Sequence, residues 1–234
     1  MALHAETVAR RAPLNRERVL QTAVDLADAG GIEDLSMRRL AQELGVVPMA
    51  LYKHVANKEE LLDGMVEIVV SEIDAPDPDS DWKTAVRQRI LSARRALLRH
   101  PWGRRVLESR NAPTPTVLAY MDSMIGMLRS GGLSIDLTHH VMHAIGSRMF
   151  GFSQELFTEN GSAAADVTLP AATLAQIAAI YPNIAEVVAR ASHDEASVVG
   201  SGCDDQFEFE FSLDLLLDGF ERLHLQRWSS TQPS

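Results

Sequence analysis

The chain has 234 residues, of which 46% are hydrophobic, 23% charged and 6% aromatic, and its formal net charge is −10. That length suits one or two domains with a buried core, and the composition excludes a mainly disordered chain, a collagen-like one and, with Cys203 as the lone cysteine, a disulfide scaffold. No apolar run approaches the roughly 18 residues that span a bilayer, and residues 1–20 lack the apolar core of a secretory leader, so a soluble cytoplasmic protein is expected.

The hydrophobic spacing predicts an all-α protein. Residues 15–29 place Val19, Leu20, Ala23, Val24, Leu26 and Ala27 on one helical face, with Asn15 as the cap and Gly30-Gly31 as the stop. A second helix starts at Ser36, buries Leu40, Ala41 and Leu44, and stops at Gly45. Pro48 suits the first turn of a short third helix, 48–54, where its missing N–H costs nothing. Asn57 caps a fourth, 58–73, with Leu61, Leu62, Met65, Ile68 and Val69 inward. The Asp/Pro-rich segment 74–81 breaks the pattern, so the expected domains are 14–73 and 80–228.

Helical spacing resumes over 82–99, 102–110, 116–130 and 136–157, and again over 171–191 with a break at Tyr181-Pro182. Two Gly/Ser/Ala/Asp-rich stretches, 158–169 and 192–206, read as loops. Residues 207–225 begin with strand-like alternation at Phe207, Phe209 and Phe211. Their body, with Phe209, Leu213, Leu216, Phe220 and Leu223, has the 4-3-4-3 spacing of a helix–helix seam, and the segment is expected to be helical.

Residues 36–55, SMRRLAQELGVVPMALYKHV, have the layout of a helix-turn-helix. Ala41 is small where the helices cross, Gly45 supplies a positive φ in the turn, and Val46 and Leu51 pack the second helix back on the first. Net acidity argues against indiscriminate nucleic-acid binding. Within 36–58, however, Arg38, Arg39, Lys53 and Lys58 stand against Glu43 alone, and residues beyond 60 carry most of the excess acid. An αα-hairpin without a DNA role would show an acidic or neutral outer face, whereas this one carries Arg38, Arg39, Lys53, His54 and Lys58.

The run LSMRRLAQELGVVPMALYKHVANKEELLDGM closely resembles the DNA-binding domain of TetR-type repressors, chiefly through LAQELGV, LYKHV and NKEELLD. RRALLRH (94–100) and FEFSLDLLLDGF (209–220) resemble the tetracycline-repressor branch of that family. The resemblance implies a three-helix DNA-binding domain followed by a larger helical domain for ligand binding and dimerisation. It implies a homodimeric repressor, joined through 136–157 and 207–225, that a small molecule releases from double-stranded operator DNA. Tyr52, Lys53, His54 and Lys58 then match phosphate contacts, and Arg38 a position that reaches phosphate or a guanine edge. Pro48, Met49 and Ala50 match base-reading positions; being apolar, they suit thymine methyls and shape readout. Arg10, Arg11 and Arg16 form either a minor-groove arm or a solvated tail.

Where the tetracycline branch has its magnesium-binding histidine, this sequence has Leu107; Glu155 alone does not make a magnesium site, so neither tetracycline nor any metal cofactor is expected. Candidate effector-lining residues are Trp82, Leu98, Trp102, Leu107, Tyr120, Met121, Met124, Met149 and Phe152, which suit an apolar or amphipathic ligand or else form plain core. Residues 83–110 hold nine Lys/Arg against Glu108, and a solvated face neutralised by nearby acids is expected in preference to a site for an anion. His139, His140 and His143, with Asp136, are expected as packed or interface residues, not metal ligands. No nucleophile elbow, phosphate loop or zinc quartet is present, so no enzyme is expected. The alternatives weighed are a helical dimer that binds protein and an enzyme with a helix-turn-helix appendage.

Overall fold

The computed structural model describes residues 13–110, 112–150, 178–183, 186 and 205–231. Among them all regular structure is helical, and no helix is long and apolar enough to cross a membrane. The chain divides into two compact units, Met1–Gly132 and Leu133–Ser234.

In the first unit, α1 (Arg16–Gly30) starts where the Asn15 carboxamide oxygen accepts from the Arg18 N–H at 2.8 Å. A 3-10 turn (Ile32–Asp34) leads to α2 (Met37–Leu44), capped by Ser36 Oγ accepting from the Arg39 N–H. Gly45 then adopts the left-handed conformation, φ 67 and ψ 37, which residues with a Cβ enter only at a cost. After it come α3 (Pro48–Leu51) and α4 (Lys58–Ser71). The third helix is therefore shorter than the expected 48–54: residues 52–54 form a turn that His54 closes by donating its N–H to the Leu51 carbonyl at 2.8 Å.

Val19, Leu20, Ala23, Val24, Leu40, Ala41, Leu44, Leu51, Leu61, Met65 and Val69 pack into one core. Helix α4 packs on α1 and also on α5 (Trp82–Arg99), α6 (Gly103–Ser109) and α7 (Pro115–Ser130). Those contacts carry the first unit past the Pro-rich segment 74–81 to Gly132. Helix α5 is capped by Asp81, whose Oδ1 accepts from the Lys83 and Thr84 N–H groups. Trp82 lies over Gly131 so closely that any Cβ there would overlap the indole.

The second unit pairs α8 (Ile135–Phe150) with α9 (Asp205–Leu225). Leu137, Val141 and Ile145 are buried on the first helix, and Phe209, Leu213, Leu217 and Phe220 on the second. The inward stripe of α9 thus runs through Leu217, not Leu216 as the 4-3-4-3 spacing predicts. Arg148 fixes the register, donating to Ser212 Oγ at 2.6 Å and stacking over the Phe209 ring. At the other end Asp136 accepts from the Ser230 N–H and Oγ, which holds its carboxyl below the ordinary value. Residues 178–180 and 182–183 are helical and interrupted at Tyr181, as the Tyr-Pro step predicts. The expected loops 158–169 and 192–204, and residues 151–157 of the fourth predicted C-terminal helix, lie outside the described residues.

Candidate nucleic-acid interface

The interface is built by three local devices. Gly45 turns the chain, and Val46 donates its N–H back to the Ala41 carbonyl at 2.9 Å. Pro48 opens α3, whose Leu51 is fully buried and pins the short helix to the head core. Asn57 then accepts from the Glu60 N–H at 2.8 Å, while the Glu60 carboxylate accepts from the Ala56 N–H at 2.7 Å, so α4 begins from a reciprocal cap.

These devices leave one exposed surface. Arg38, Pro48, Met49, Tyr52, Lys53 and Lys58 are exposed, and Ala50 and His54 half-buried. Met49 is 72% exposed at the tip, an unusual position for a large apolar side chain with no partner. Val47, 67% exposed beside it, extends this apolar tip. Sequence reasoning passed over Val47 as part of the turn, and its place immediately before the first helical residue, Pro48, was the available signal. Arg39, counted on the cationic face from sequence, is engaged by the Asp34 carboxylate at 3.0 Å. Lys58 Nζ donates to the Leu35 carbonyl at 3.1 Å and so also ties α4 to the start of α2. An apolar tip ringed by cationic and hydroxyl donors can enter a major groove and hold the phosphates on either side.

The candidate effector-lining residues do not gather at one place. Trp82, Tyr120 and Met124 lie on the packed pair α5 and α7, with Met124 1% exposed. The Arg89 guanidinium sits 5.2 Å from the Tyr120 ring centre, and burial pushes the phenol up to about 12 against a weaker opposing effect of Arg89. Trp102 and Leu107 instead pack against the head core, and Trp102 Nε1 donates to Asp28 Oδ1 at 2.6 Å. Leu98 and Met121 are exposed, Met149 is half-buried in the second unit, and Phe152 lies outside the described residues. A surface groove of about 370 Å³ opens between the end of α1 and the α5–α6 corner, lined by Asp28, Ile32, Glu33, Pro101, Trp102 and Arg105.

The basic run 83–110 is largely neutralised, as its sequence reading expects. Arg95 pairs with Asp74, Arg99 with Glu72, Arg104 with Glu108, and Arg105 with Glu33, while Arg110 pairs with both Glu59 and Asp63. On α8, His139 and His143 pack edge to face, with ring centres 4.6 Å apart, and His140 packs against Trp228. Among the described residues no three His, Cys, Asp or Glu side chains are grouped to hold a metal.

Residues 19–65 match the pattern of bacterial regulatory proteins of the tetR family, and residues 75–224 that of the tetracyclin repressor-like C-terminal domain. The chain is 32% identical over 228 residues to the HTH-type transcriptional repressor DrrR1 of Streptomyces coeruleorubidus, covering 94% of this chain and 82% of that one. It is 37% identical over 138 residues to the class D tetracycline repressor protein of Escherichia coli, a match that spans 55% of this chain and 63% of the repressor. Among solved structures, the Streptomyces coelicolor TetR family protein ActR in complex with actinorhodin superposes with a TM-score of 0.67 at 29% identity, covering 90% of this chain and 98% of ActR. The chain belongs to the tetR family of bacterial regulatory proteins, and it is a ligand-responsive, DNA-binding repressor of that family.

Proposed function

We propose that two copies of this chain grip an operator through the surface at residues 38–58 and that a small molecule bound farther along the chain loosens the grip. Pro48, Met49 and Ala50 meet base edges, while Arg38, Tyr52, Lys53, His54 and Lys58 hold phosphates. The observation that carries this reading is the exposed Met49 tip ringed by those donors on a helix-turn-helix. Two such tips enter successive major grooves when held about 34–36 Å apart. The copies join through α8 and α9. The outward side of α9 presents Phe207, Phe211 and Leu215, each more than half exposed, where a second chain buries them. The protein works in the cytoplasm and carries out no chemistry on its effector.

The effector is an apolar or amphipathic molecule. Fused-ring compounds are the first class to screen, because the similar ActR was solved with actinorhodin and a 25% identical tetracycline repressor of Acinetobacter baumannii with minocycline. Moving the dimer from nearly all DNA-competent to nearly all released takes roughly 5 kcal/mol of differential affinity. The test is selection of duplexes from a random pool, followed by anisotropy titration at about 150 mM salt with actinorhodin and minocycline added. A selected duplex bound at least a thousandfold more tightly than random DNA is expected, weakened by a compound that also raises the melting temperature. A monomeric protein, or one with no preference among duplexes, would overturn the reading.

A further inference from the structure

The corner between α5 and α6 holds a buried network that DNA contact and effector binding leave unused. The His100 side chain is 8% exposed, and its two ring nitrogens face carboxylates from two different helices. Nδ1 lies 2.9 Å from Asp28 Oδ1, in the last turn of α1, and Nε2 lies 3.1 Å from Glu72 Oε1, at the end of α4. Neighbours on the same corner close the network. Trp102 Nε1 donates to Asp28 Oδ1, and Arg99 donates to Glu72 Oε2 through Nε at 3.0 Å and Nη2 at 2.6 Å. Partial burial pushes the Glu72 carboxyl up, but the hydrogen bonds from Arg99 and His100 outweigh it and leave the group below its ordinary value.

We infer that His100 is a positioning residue for operator recognition, setting the pitch of the DNA-reading head by tying α1 and α4 to the α5–α6 corner. The inference rests on the DNA-binding dimer proposed above. Its physical basis is leverage. Glu72 closes one end of α4 and Lys58, a proposed phosphate contact, opens the other. Fourteen residues at about 1.5 Å each put the two ends about 21 Å apart. A tilt of about 5° at the Glu72 end therefore moves the Lys58 end by about 2 Å. In a symmetric dimer both heads tilt, so the separation changes by up to about 4 Å, close to the 3.4 Å step of one base pair. A single imidazole that meets both carboxylates fixes the two head helices together, which two separate ion pairs would not. An imidazole also has the two opposed nitrogens that this bridge needs.

The test uses the full-length protein and duplexes it has itself selected, remade with the half-site separation shortened or lengthened by one base pair. Anisotropy titration gives the affinity for each spacing. The wild type is expected to prefer its own spacing by about tenfold or more. His100→Ala, and independently Glu72→Gln, which keeps the side-chain volume and so guards against misfolding of the first variant, are expected to reduce that preference to threefold or less. A merely structural loss weakens all spacings alike, so variants that bind more weakly but keep the full preference overturn the inference. A wild type that selects no duplex overturns the DNA-binding reading instead, and the inference with it.

Discussion

Lys58 occupies two roles that a single substitution can separate. Its ammonium reaches the Leu35 carbonyl at 3.1 Å, yet the residue is exposed at the start of α4 beside the cationic surface. Lys58→Met keeps the aliphatic stem and removes the charge. The lost hydrogen bond costs about 1 kcal/mol of folding stability, which urea unfolding measures. The lost phosphate contact acts on a different observable. Each neutralised phosphate contributes a slope of about −0.9 to log affinity against log salt, so a dimer lacking two contacts loses about 1.8. Between about 50 and 200 mM salt the variant's affinity should then fall about 12-fold less than that of the wild type. The affinity loss should be uniform over duplex sequences, because a phosphate contact carries no base information. Anisotropy titration at four or so salt concentrations measures the slope. An unchanged slope with reduced stability would mean that Lys58 only braces Leu35, and the assignment of the α4 start to DNA would fail.

Three further outcomes follow from the geometry. Gly131→Ala should destabilise the protein by about 1–3 kcal/mol in urea, because the new methyl overlaps the Trp82 indole and the ring must leave its seat. Gly45→Ala should cost about 1–2 kcal/mol for forcing a Cβ into the left-handed turn, and should weaken DNA binding through displacement of α3. The two pH responses have opposite signs. Tyr120, pushed up to about 12 by burial, adds stability that is complete below its ordinary value of 10 and is lost as pH rises towards 12; Tyr120→Phe should remove the last step of the tyrosinate absorbance titration. Glu72, held below its ordinary 4.5, adds stability that is present above that value and lost as pH falls through its lowered one, so the urea midpoints of the wild type and Glu72→Gln should converge in acid.

Much of this protein is legible residue by residue. The caps at Asn15, Ser36 and Asn57, the turn at Gly45 and the proline opening α3 act within a few positions along the chain, so their meaning survives without any distant partner. The exposed surface at 38–58 inherits that legibility, since short-range devices build it. What the linear pattern could not separate were choices made between helices. Arg39 and Arg38 are indistinguishable in sequence, yet a carboxylate from the preceding 3-10 turn engages Arg39. Leu216 and Leu217 are equally apolar, and the phase of α9 against α8 chose Leu217. Trp102 reads as a pocket residue by composition, but Asp28, 74 positions earlier, draws its indole into the head. His100 shows the same limit most clearly: alone it is an unremarked residue before a proline, and only the meeting of α1, α4 and α5 gives it two carboxylates. Short-range hydrogen bonding and backbone geometry settle where helices begin and end; burial and charge pairing over long separations exist only once the helices have packed.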